Sequence, residues 1–412
     1  MIPYTRKTLP NGLTVVVNRD RASKLAAVNI LYRVGARNEN PARTGFAHLF
    51  EHLMFRGTRE VPNFDLPVQM ASGDNNAFTN NDYTDFYITL PKDNLETALW
   101  LESDRMEGLE ITPEKLAAEK KVVIEEFRQR YLNQPYGDQT MLLRALAYKV
   151  HPYRWAAIGL TTEHIASASP DDVGEFYRTH YHPSNAILSI SADMEEERML
   201  ELAEKWFGGL PDTPRPAAPI PQEPPQEAPR REEVERDVPA TTVTVAYRMG
   251  TRTSPDFYTA DLVSDLLSGG DSGRLYRHLV KERRLLSSVN AYVTGDLDPG
   301  LFVFTGQLLP GVAPEAAEAA FREEIEALRT APISQYETEK VKNKFEANTL
   351  FGELNVMNKA MNLGFYEMLG DLPLINGEVA RYRAVSDEDI RAFCRSTLRP
   401  ENASTLIYKA RK

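Results

Sequence analysis

Apolar and polar residues follow two different periods along the chain. Runs rich in β-branched and aromatic residues at 28–31, 82–90 and 241–246 predict strands. At 112–132 the apolar residues instead recur every three or four positions, which predicts an amphipathic helix. Because the chain contains both predicted strands and a predicted helix, the pattern favours the α+β fold class.

The helix predicted over 112–132 has a well-marked start. Thr112 can act as a hydroxyl N-cap, and Pro113 suits the first helical position. Glu114 places an acid in the first turn, where it complements the helix dipole. These three residues predict that the helix begins at this point in the chain.

The pattern also occurs twice. Residues 32–37 (YRVGAR) recur as 247–252 (YRMGTR), offset by 215 positions (247 − 32). Residues 176–186 return as 393–403, offset by 217 positions (393 − 176). Two matches at nearly one offset predict two copies of one α+β domain of about 200 residues.

A proline-rich segment separates the two copies. Seven of the eighteen residues 213–230 are proline and none is glycine, which predicts an extended, semi-rigid spacer. An ordinary surface loop is the alternative. The predicted domains are therefore residues 1–212 and 231–412, joined by a linker at 213–230.

Composition limits the possible functions. The chain has 412 residues, which is too long for one ordinary core, and its 42% hydrophobic and 26% charged residues are typical of a soluble globular protein. A net charge of −11 argues against nucleic acid and anionic membranes as partners. No apolar run reaches the length of a membrane span. The single cysteine, Cys394, excludes an internal disulfide, and its apolar pattern predicts a core position.

The N-terminal residues bear on localisation. Residues 1–7 (MIPYTRK) lack the apolar core of a signal peptide. This favours a cytoplasmic protein, and a periplasmic location stays open if a leader has been removed.

The strongest chemical signal is the segment His48-Leu49-Phe50-Glu51-His52. Residues i, i+3 and i+4 share one helix face, so His48 and His52 can point at one metal ion with Glu51 beside them. Two neutral imidazoles suit zinc, and a neighbouring carboxylate that is not a ligand can accept a proton from water. The alternative is an amphipathic helix that carries two histidines by chance, which is disfavoured because the chain has only seven histidines.

A catalytic zinc needs a third protein ligand, and the helix that begins at Thr112 offers acids. At about 100° per residue, Glu126 lies about 20° from Glu119, whereas Glu125 is rotated by about 120°. Glu119 and Glu126 therefore share the inward face, and Glu125 is expected to be solvated. The apolar pair Val122–Val123 is expected on the same inward side. An acid on an apolar face is costly unless it is paired or bound to a cation.

Together these residues resemble the pitrilysin, insulin-degrading enzyme and mitochondrial processing peptidase family of inverzincin zinc metallopeptidases. The resemblance is carried by H-x-x-E-H at 48–52, followed some seventy residues later by the Glu-x6-Glu helix. Further segments that resemble the family lie at 9–13, 76–79, 82–84, 151–153 with Gly159, 268–270 and 274–275.

The resemblance implies a role for each residue of the motif. His48, His52 and Glu126 are expected to bind one Zn²⁺ per chain, with Glu51 as the general base. Glu119 is expected to hydrogen-bond a ligand histidine and fix its tautomer. If Glu126 is not the third ligand, Glu125 is the next candidate.

The family also implies how substrate binds. It adds the substrate as an extra strand at a sheet edge, which gives broad peptide specificity because main-chain hydrogen bonds ignore side chains. Asn76 and Ala77 are the expected contacts nearest the scissile bond, at the edge that precedes the strand at 82–90. An asparagine-rich turn ahead of an ordinary strand is the alternative.

The implied architecture is two homologous domains, each a mostly antiparallel sheet flanked by helices, facing each other around a chamber. Adding 215 to positions 48, 51 and 52 gives Val263, Leu266 and Leu267, so the second copy is expected to lack a metal site and to bury this helix in its core.

In the family, the second domain supplies an arginine and, seven residues later, a tyrosine that bind substrate. Aligning Arg274-Leu275 and an expected following helix places these at Val280 and Ser287, so both are absent. The chain thus resembles the zinc-bearing subunit of a bacterial two-chain enzyme, whose homologous partner carries the pair.

The predicted function is a zinc-dependent endopeptidase that cleaves unfolded peptides or small proteins. The alternative is a non-catalytic structural or assembly subunit, like the core proteins of the cytochrome bc complex; the complete motif favours the peptidase. The other histidines lack a spacing that converges on a metal and are predicted to be surface or structural residues: His151, His164, His180, His182 and His278.

Overall fold

The computed structural model describes residues 1–214 and 218–411, which contain two β-sheets flanked by helices. Residues 215–217, within the predicted linker, and Lys412 lie outside the described residues. The chain divides into two compact units, and each unit draws on both halves of the sequence. The first unit comprises Met1–Arg128, Trp155–Ile220 and Leu350–Gly377, and the second comprises Gln129–Arg154, Pro221–Thr349 and Glu378–Lys412.

The strands occur close to the predicted positions. β3 and β8 include most of the runs at 28–31 and 241–246, and β5 includes most of the run at 82–90. The strands of the described chain are β1 (Thr5–Thr8), β2 (Thr14–Arg19), β3 (Leu25–Tyr32), β4 (Asp74–Thr79), β5 (Thr84–Pro91), β6 (Ala186–Ala192), β7 (Arg230–Arg236), β8 (Thr242–Arg248), β9 (Leu286–Val293), β10 (Leu301–Leu308) and β11 (Ala403–Ala410).

The helices lie between these strands along the chain. Two π-helical turns, Arg128–Leu132 and Tyr276–Glu282, accompany them. The α-helices of the described chain are α1 (Phe46–Leu53), α2 (Asp65–Met70), α3 (Leu95–Glu107), α4 (Pro113–Phe127), α5 (Gln139–Ala147), α6 (Thr162–Ala166), α7 (Pro170–His180), α8 (Glu196–Phe207), α9 (Phe257–Ser268), α10 (Pro314–Thr330), α11 (Gln335–Gly352), α12 (Val356–Met368), α13 (Leu374–Ala384) and α14 (Asp387–Ser396).

The two sheets share one topology, which confirms the repeat found in the sequence. The first sheet has the strand order β1-β2-β6-β3-β5-β4, and the second has β7-β11-β8-β10-β9. The pairs β2/β6 and β7/β11 are parallel, and all other neighbours are antiparallel. Five strands therefore correspond one to one, with β1 added at the edge of the first sheet. The predicted mostly antiparallel sheets are confirmed.

Each sheet is covered partly by a helix from the other half of the chain. α12 packs on β3 and β6 of the first sheet, where Gly364 permits close approach because a Cβ there would lie 2.9 Å from Asn29 Oδ1. α5 packs on β8 and β11 of the second sheet through Leu143 and Leu146. The division at 213–230 therefore describes the repeat in the sequence, whereas the packing units interleave the two halves.

The helix predicted over 112–132 is present as α4 and the π-helical turn that follows it. The hydroxyl of Thr112 accepts a hydrogen bond from the Lys115 N–H at 3.2 Å, as expected for an N-cap. The expectation for Val122 is wrong, because its side chain is 43% exposed while Val123 is fully buried. The buried face runs through Leu116, Glu119, Val123 and Phe127, and Val122 is rotated by about 100° from Val123.

The described end of the predicted linker is fixed to the second unit. The Glu223 carboxylate accepts hydrogen bonds from the N–H groups of Lys149, Val150 and His151 at 2.7–2.8 Å. Gln226 is buried and donates to the Ala403 carbonyl at 2.9 Å. This part of the segment is therefore held by specific contacts.

The helices also bear on the membrane prediction. Among the described residues, none of them combines the length and the apolar character that crossing a membrane requires.

Candidate metal centre

The helix α1 presents one apolar face to the core and one polar face to the site. Leu49, Phe50 and Leu53 are buried, and the Phe50 ring stacks on Phe176 and Tyr181 at centroid distances of 5.3 and 5.2 Å. Because positions 48, 51 and 52 lie on the other side of the helix, this packing directs the histidines away from the aromatic core.

The structure brings His48, His52 and Glu126 together. One donor atom from each residue lies within 4.8 Å of the others, and in the described part of the chain this is the one such group of histidine, cysteine and acidic residues. Glu126 Oε2 is 3.7 Å from His48 Nε2 and 3.4 Å from His52 Nε2. The helices α1 and α4 therefore supply the three predicted ligands to one point.

These distances fit a zinc ion. With metal–ligand bonds of about 2.0–2.1 Å, tetrahedral geometry places neighbouring ligand atoms about 3.3 Å apart. The two contacts of Glu126 are close to that value. Two imidazole nitrogens and one carboxylate oxygen are also the donor set of many catalytic zinc sites, which leave a fourth position open.

Glu119 lies behind His52 and orients it. Its Oε2 is 3.3 Å from His52 Nδ1, so Nδ1–H can donate to it while Nε2 faces the metal position. Burial alone would lower the pKa of His52, but its hydrogen bonds to Glu119 and Glu126 outweigh burial and raise the pKa to about 9. A metal that binds His52 near neutral pH must therefore displace a proton.

Arg56 forms an ion pair with the other oxygen of Glu119. Burial would raise the pKa of Glu119, but the hydrogen bond to His52 and the charge of Arg56 together lower it. Arg56 is not among the residues predicted from the sequence. Its position four residues after His52, on the same face of a helix or of its continuation, was the available signal.

The acid next to Glu126 on α4, Glu125, points away from this cluster. Its side chain is 54% exposed and lies 3.7 Å from Arg128, whereas the side chain of Glu126 is 18% exposed. The helical phase thus separates the two neighbouring acids as the sequence predicted.

Glu51 is half-buried on α1 between the two histidines, close to the strand pair β4/β5. Burial raises the pKa of Tyr87, and the charges of Asp85, Asp74 and Glu51 add to this effect. Tyr87 of β5 is paired with Asn76 of β4. The carboxylate of Glu51 therefore acts electrostatically on the strand pair that contains Asn76.

Asn76 and Ala77 lie in β4, which forms an edge of the first sheet. The segment is a strand, so the alternative of a turn is wrong. The Ala77 N–H donates a hydrogen bond to the side-chain oxygen of Asn76 at 2.8 Å. The outer edge of β4 thus has main-chain groups that an added strand could bind.

The other five histidines have structural partners or are buried. Burial lowers the pKa of His180 to about 4, which keeps its ring neutral. The remaining four each contact at least one polar side chain: His151 with Asp298 at 3.1 Å, His164 with Thr44 at 2.9 Å, His182 with Asp212 at 2.9 Å and His278 with Glu324 at 2.6 Å.

In the described residues of the second copy, aliphatic side chains stand at the positions that correspond to His48, Glu51 and His52. Val263, Leu266 and Leu267 on α9 are buried in the core of the second unit, as predicted, and so is Cys394. The expected helix through Ser287 is wrong, because the helical turn ends at Glu282 and Ser287 lies in β9. The helical spacing that placed the arginine and tyrosine positions therefore does not hold in the structure.

Comparisons with known proteins identify the family. The description "Insulinase (Peptidase family M16)" matches residues 14–155, and "Peptidase M16 inactive domain" matches residues 167–345. Zinc protease PqqE of Helicobacter pylori is 33% identical over 341 residues, which cover 81% of this chain and 77% of that protein. The chain belongs to peptidase family M16. The three clustered ligands lie in the first matched segment, and the aliphatic counterparts of His48, Glu51 and His52 lie in the segment described as inactive.

Other M16 proteins cover nearly the whole chain. The uncharacterized zinc protease YmxG of Bacillus subtilis is 23% identical and covers 98% of this chain and 97% of its own length. The crystal structure of a protease from Helicobacter pylori matches with a TM-score of 0.94 and 28% identity over 99% of this chain and 100% of that chain. The periplasmic protease PqqL of Escherichia coli shares the fold, with a TM-score of 0.80 and 16% identity; the match covers 99% of this chain and 48% of PqqL.

Proposed function

We propose that this M16 chain is a zinc-dependent endopeptidase whose catalytic centre lies in its first repeat. The observation that carries the proposal is the convergence of His48, His52 and Glu126 within 4.8 Å, with Glu51 on the same helix. Several relatives are named zinc proteases. For this chain, the proposal is supported by two imidazole groups and one carboxylate that lie close enough to bind one zinc ion.

The proposed roles of the residues follow from their positions. His48, His52 and Glu126 would hold the metal, and Glu119 would fix His52 in the tautomer that presents Nε2. When bound, zinc polarises a carbonyl and makes water more acidic. Glu51 would accept a proton from the attacking water and return it to the leaving amine, because its carboxylate belongs to the same helix face but is not among the clustered ligands.

The proposed substrate is an extended peptide. Its backbone would pair with the outer edge of β4 near Asn76 and Ala77, which would place a peptide bond next to α1. Because backbone pairing requires an extended chain, unfolded peptides and small unfolded proteins are the substrate class. The Ala77 N–H would then exchange its bond to Asn76 for one to the substrate.

We further propose that full activity needs a homologous second chain that supplies an arginine and a tyrosine to the substrate. The length of PqqL supports pairing, since this chain matches 48% of it. The presence of ligands in one repeat and aliphatic residues in the other also supports a division of roles between homologous units. A non-catalytic subunit is the alternative, and the complete ligand set argues against it.

The experiment is cleavage of an unstructured fluorogenic peptide by the pure chain and by the chain with its homologous partner. Each preparation is assayed as zinc-loaded protein, after chelation and after zinc is added back. We expect zinc-dependent cleavage that rises with the partner and falls when the partner's arginine and tyrosine are replaced. Full activity of the pure chain would refute the need for a partner, and no cleavage in any zinc-loaded preparation would refute the peptidase.

A further inference from the structure

We propose that Glu39 is a positioning residue for the zinc-binding helix, acting through the first turn of α1. This inference rests on the proposed zinc site. Among the described residues, Glu39 accepts hydrogen bonds from the backbone that precedes His48 and from Trp155, and not from the clustered ligands.

The Glu39 carboxylate binds the N-terminus of α1 with both oxygens. Its Oε2 accepts a hydrogen bond from the Gly45 N–H at 2.9 Å, and its Oε1 accepts one from the Ala47 N–H at 2.9 Å. The indole Nε1–H of Trp155 donates to Oε2 at 3.1 Å. Glu39 is 5% exposed and Trp155 is fully buried, so these bonds are shielded from water.

The helix has no local side chain that could replace Glu39. Its N-cap is Gly45, which has no side chain, and its first turn contains no acid. Gly45 has φ +89°, and a Cβ there would lie 2.6 Å from the Ile158 carbonyl oxygen. An ordinary capping serine or aspartate therefore does not fit, and the N–H groups that open the helix depend on an acceptor from elsewhere.

A second set of contacts fixes the same turn from the other side. The Thr44 hydroxyl lies 2.9 Å from His164 Nδ1 and accepts a hydrogen bond from the Leu160 N–H at 2.8 Å. Gly159 packs closely against Gly45, because a Cβ on Gly159 would lie 3.0 Å from the Gly45 nitrogen. The entrance to α1 is thus held between Glu39 and the segment that contains Trp155 and Gly159.

The position of the bonds links them to the metal site. Ala47 directly precedes His48, and Glu51 and His52 follow within the next turn. Because α1 has only eight residues, a shift of its first turn moves every residue of the motif. Glu39 restrains the helix at its start, and Glu119 restrains His52 near its end.

Burial and these donors act in opposite directions on the ionisation of Glu39. Burial raises the pKa of Glu39 to about 8, against the N–H groups of Ala47 and Gly45 and the indole of Trp155, which favour the ionised form. A carboxylate at this end of α1 also complements the helix dipole. An amide cannot replace it, since its NH₂ group would face an N–H donor.

The test compares Glu39→Gln with Glu223→Gln. Glu223 is a matched control because its carboxylate also accepts several backbone N–H groups, those of residues 149–151 in the second unit. For each variant and the wild type, zinc affinity is measured by competition with a chromophoric chelator. The visible spectrum of the cobalt-substituted protein and the thermal unfolding of the metal-free protein are recorded as well.

We expect Glu39→Gln to lower zinc affinity by about 10–100-fold and to alter the cobalt spectrum, as for other residues that orient metal ligands. Glu223→Gln is expected to change the unfolding temperature without changing either metal readout. A folded Glu39→Gln protein with wild-type zinc affinity and spectrum would overturn the inference.

Two further arms keep the result decisive. If Glu39→Gln does not fold, Glu39→Asp is measured instead, because its carboxyl group is one methylene too short to keep both backbone contacts. Wild-type zinc affinity in that variant would overturn the inference. Failure of the wild-type chain to bind zinc would instead refute the proposed function. None of these measurements depends on peptide cleavage, so the two failures are distinguishable.

Discussion

The two copies of the repeat place a helix at the same point of the same topology and use it differently. α9 is packed among aliphatic and aromatic side chains, with Val263, Leu266 and Leu267 buried. α1 has a similar apolar face, but its other face carries His48, Glu51 and His52 beside a buried acid, Glu119. The two helices therefore differ at three positions, which are aliphatic in α9 and carry the proposed metal site in α1.

The polar face of α1 needs more interactions with surrounding residues than the aliphatic face of α9. Glu119 is almost fully buried and is stabilised by His52 and Arg56. The N-terminus of α1 is held by the buried Glu39. Burying such groups is costly unless each has partners, so a metal site in this position requires residues beyond its ligands. At the corresponding positions of α9, the aliphatic side chains need only burial.

The largest effect is expected at the ligands of the first copy. His52→Ala or Glu126→Ala should reduce zinc affinity by more than the roughly 100-fold seen at the upper end for residues that only orient ligands. Glu125→Ala is the control, because Glu125 is exposed and points away from the cluster. Elemental analysis after dialysis checks the zinc content. Full zinc occupancy in Glu126→Ala would reject Glu126 as the third ligand.

In the second copy, the position that corresponds to His52 should matter for stability and not for metal. Leu267→Ala should lower the free energy of unfolding by about 2–5 kcal/mol, because it leaves a cavity in the core. Zinc content should not change. Leu354→Ala is the matched control, since Leu354 is 77% exposed and its loss should cost less than about 0.5 kcal/mol. Denaturant unfolding compares the two, and equal small losses would contradict a core role for α9.

The copies should also differ in acid sensitivity. His180 at the end of α7 corresponds to Thr397 in the second copy, 217 positions later (397 − 180). Burial lowers the pKa of His180 from 6.5 to about 4, with a contribution from His182. The unfolded chain therefore binds the proton more readily, so stability is fully present above pH 6.5 and falls as the pH drops towards 4.

His180→Phe should remove this pH dependence. Its contribution is about 3 kcal/mol between pH 6.5 and 4, and a phenyl ring preserves the contact with Phe176. The measurement is the free energy of unfolding against pH for the wild type and the variant. Parallel curves for the two proteins would show that His180 does not carry the acid sensitivity.

The smallest effect is expected at the start of α4, which carries Glu119 and Glu126. Thr112→Ala removes the acceptor of the Lys115 N–H and should cost about 1 kcal/mol of stability. Thr112→Ser retains the hydroxyl and serves as the control. Both proteins should keep wild-type zinc affinity, as measured by chelator competition. A loss of zinc affinity in Thr112→Ala alone would show that the cap also sets the position of the ligands.

The sequence predicted those features that depend on local spacing. The motif on α1, the N-cap at Thr112 and the phase of Glu119, Glu125 and Glu126 follow from helix geometry within a few turns. The repeat followed from two short matches, 32–37 with 247–252 and 176–186 with 393–403, and the structure shows it as a shared strand order.

Features that depend on distant parts of the chain were not predictable in this way. The packing of α12 on β3 joins residues more than 300 positions apart, and no local pattern indicates it. The hydrogen bond between Trp155 and Glu39 joins residues that are 116 positions apart in the sequence. The wrong expectations for Val122 and Ser287 have a related cause, because local helical spacing does not depend on tertiary packing. It does not show that Val122 lies outside the packed face, and it does not show that the helix ends before Ser287.

The most direct measurement of the central claim is peptide cleavage by Glu51→Gln, under the conditions in which the wild type is active and with zinc content determined on the same samples. We expect one zinc per chain in both proteins and a loss of turnover of about 10²–10⁴-fold in the variant, because an amide cannot accept the proton of the attacking water. Near-normal turnover in zinc-loaded Glu51→Gln would contradict the assignment of Glu51 as the general base.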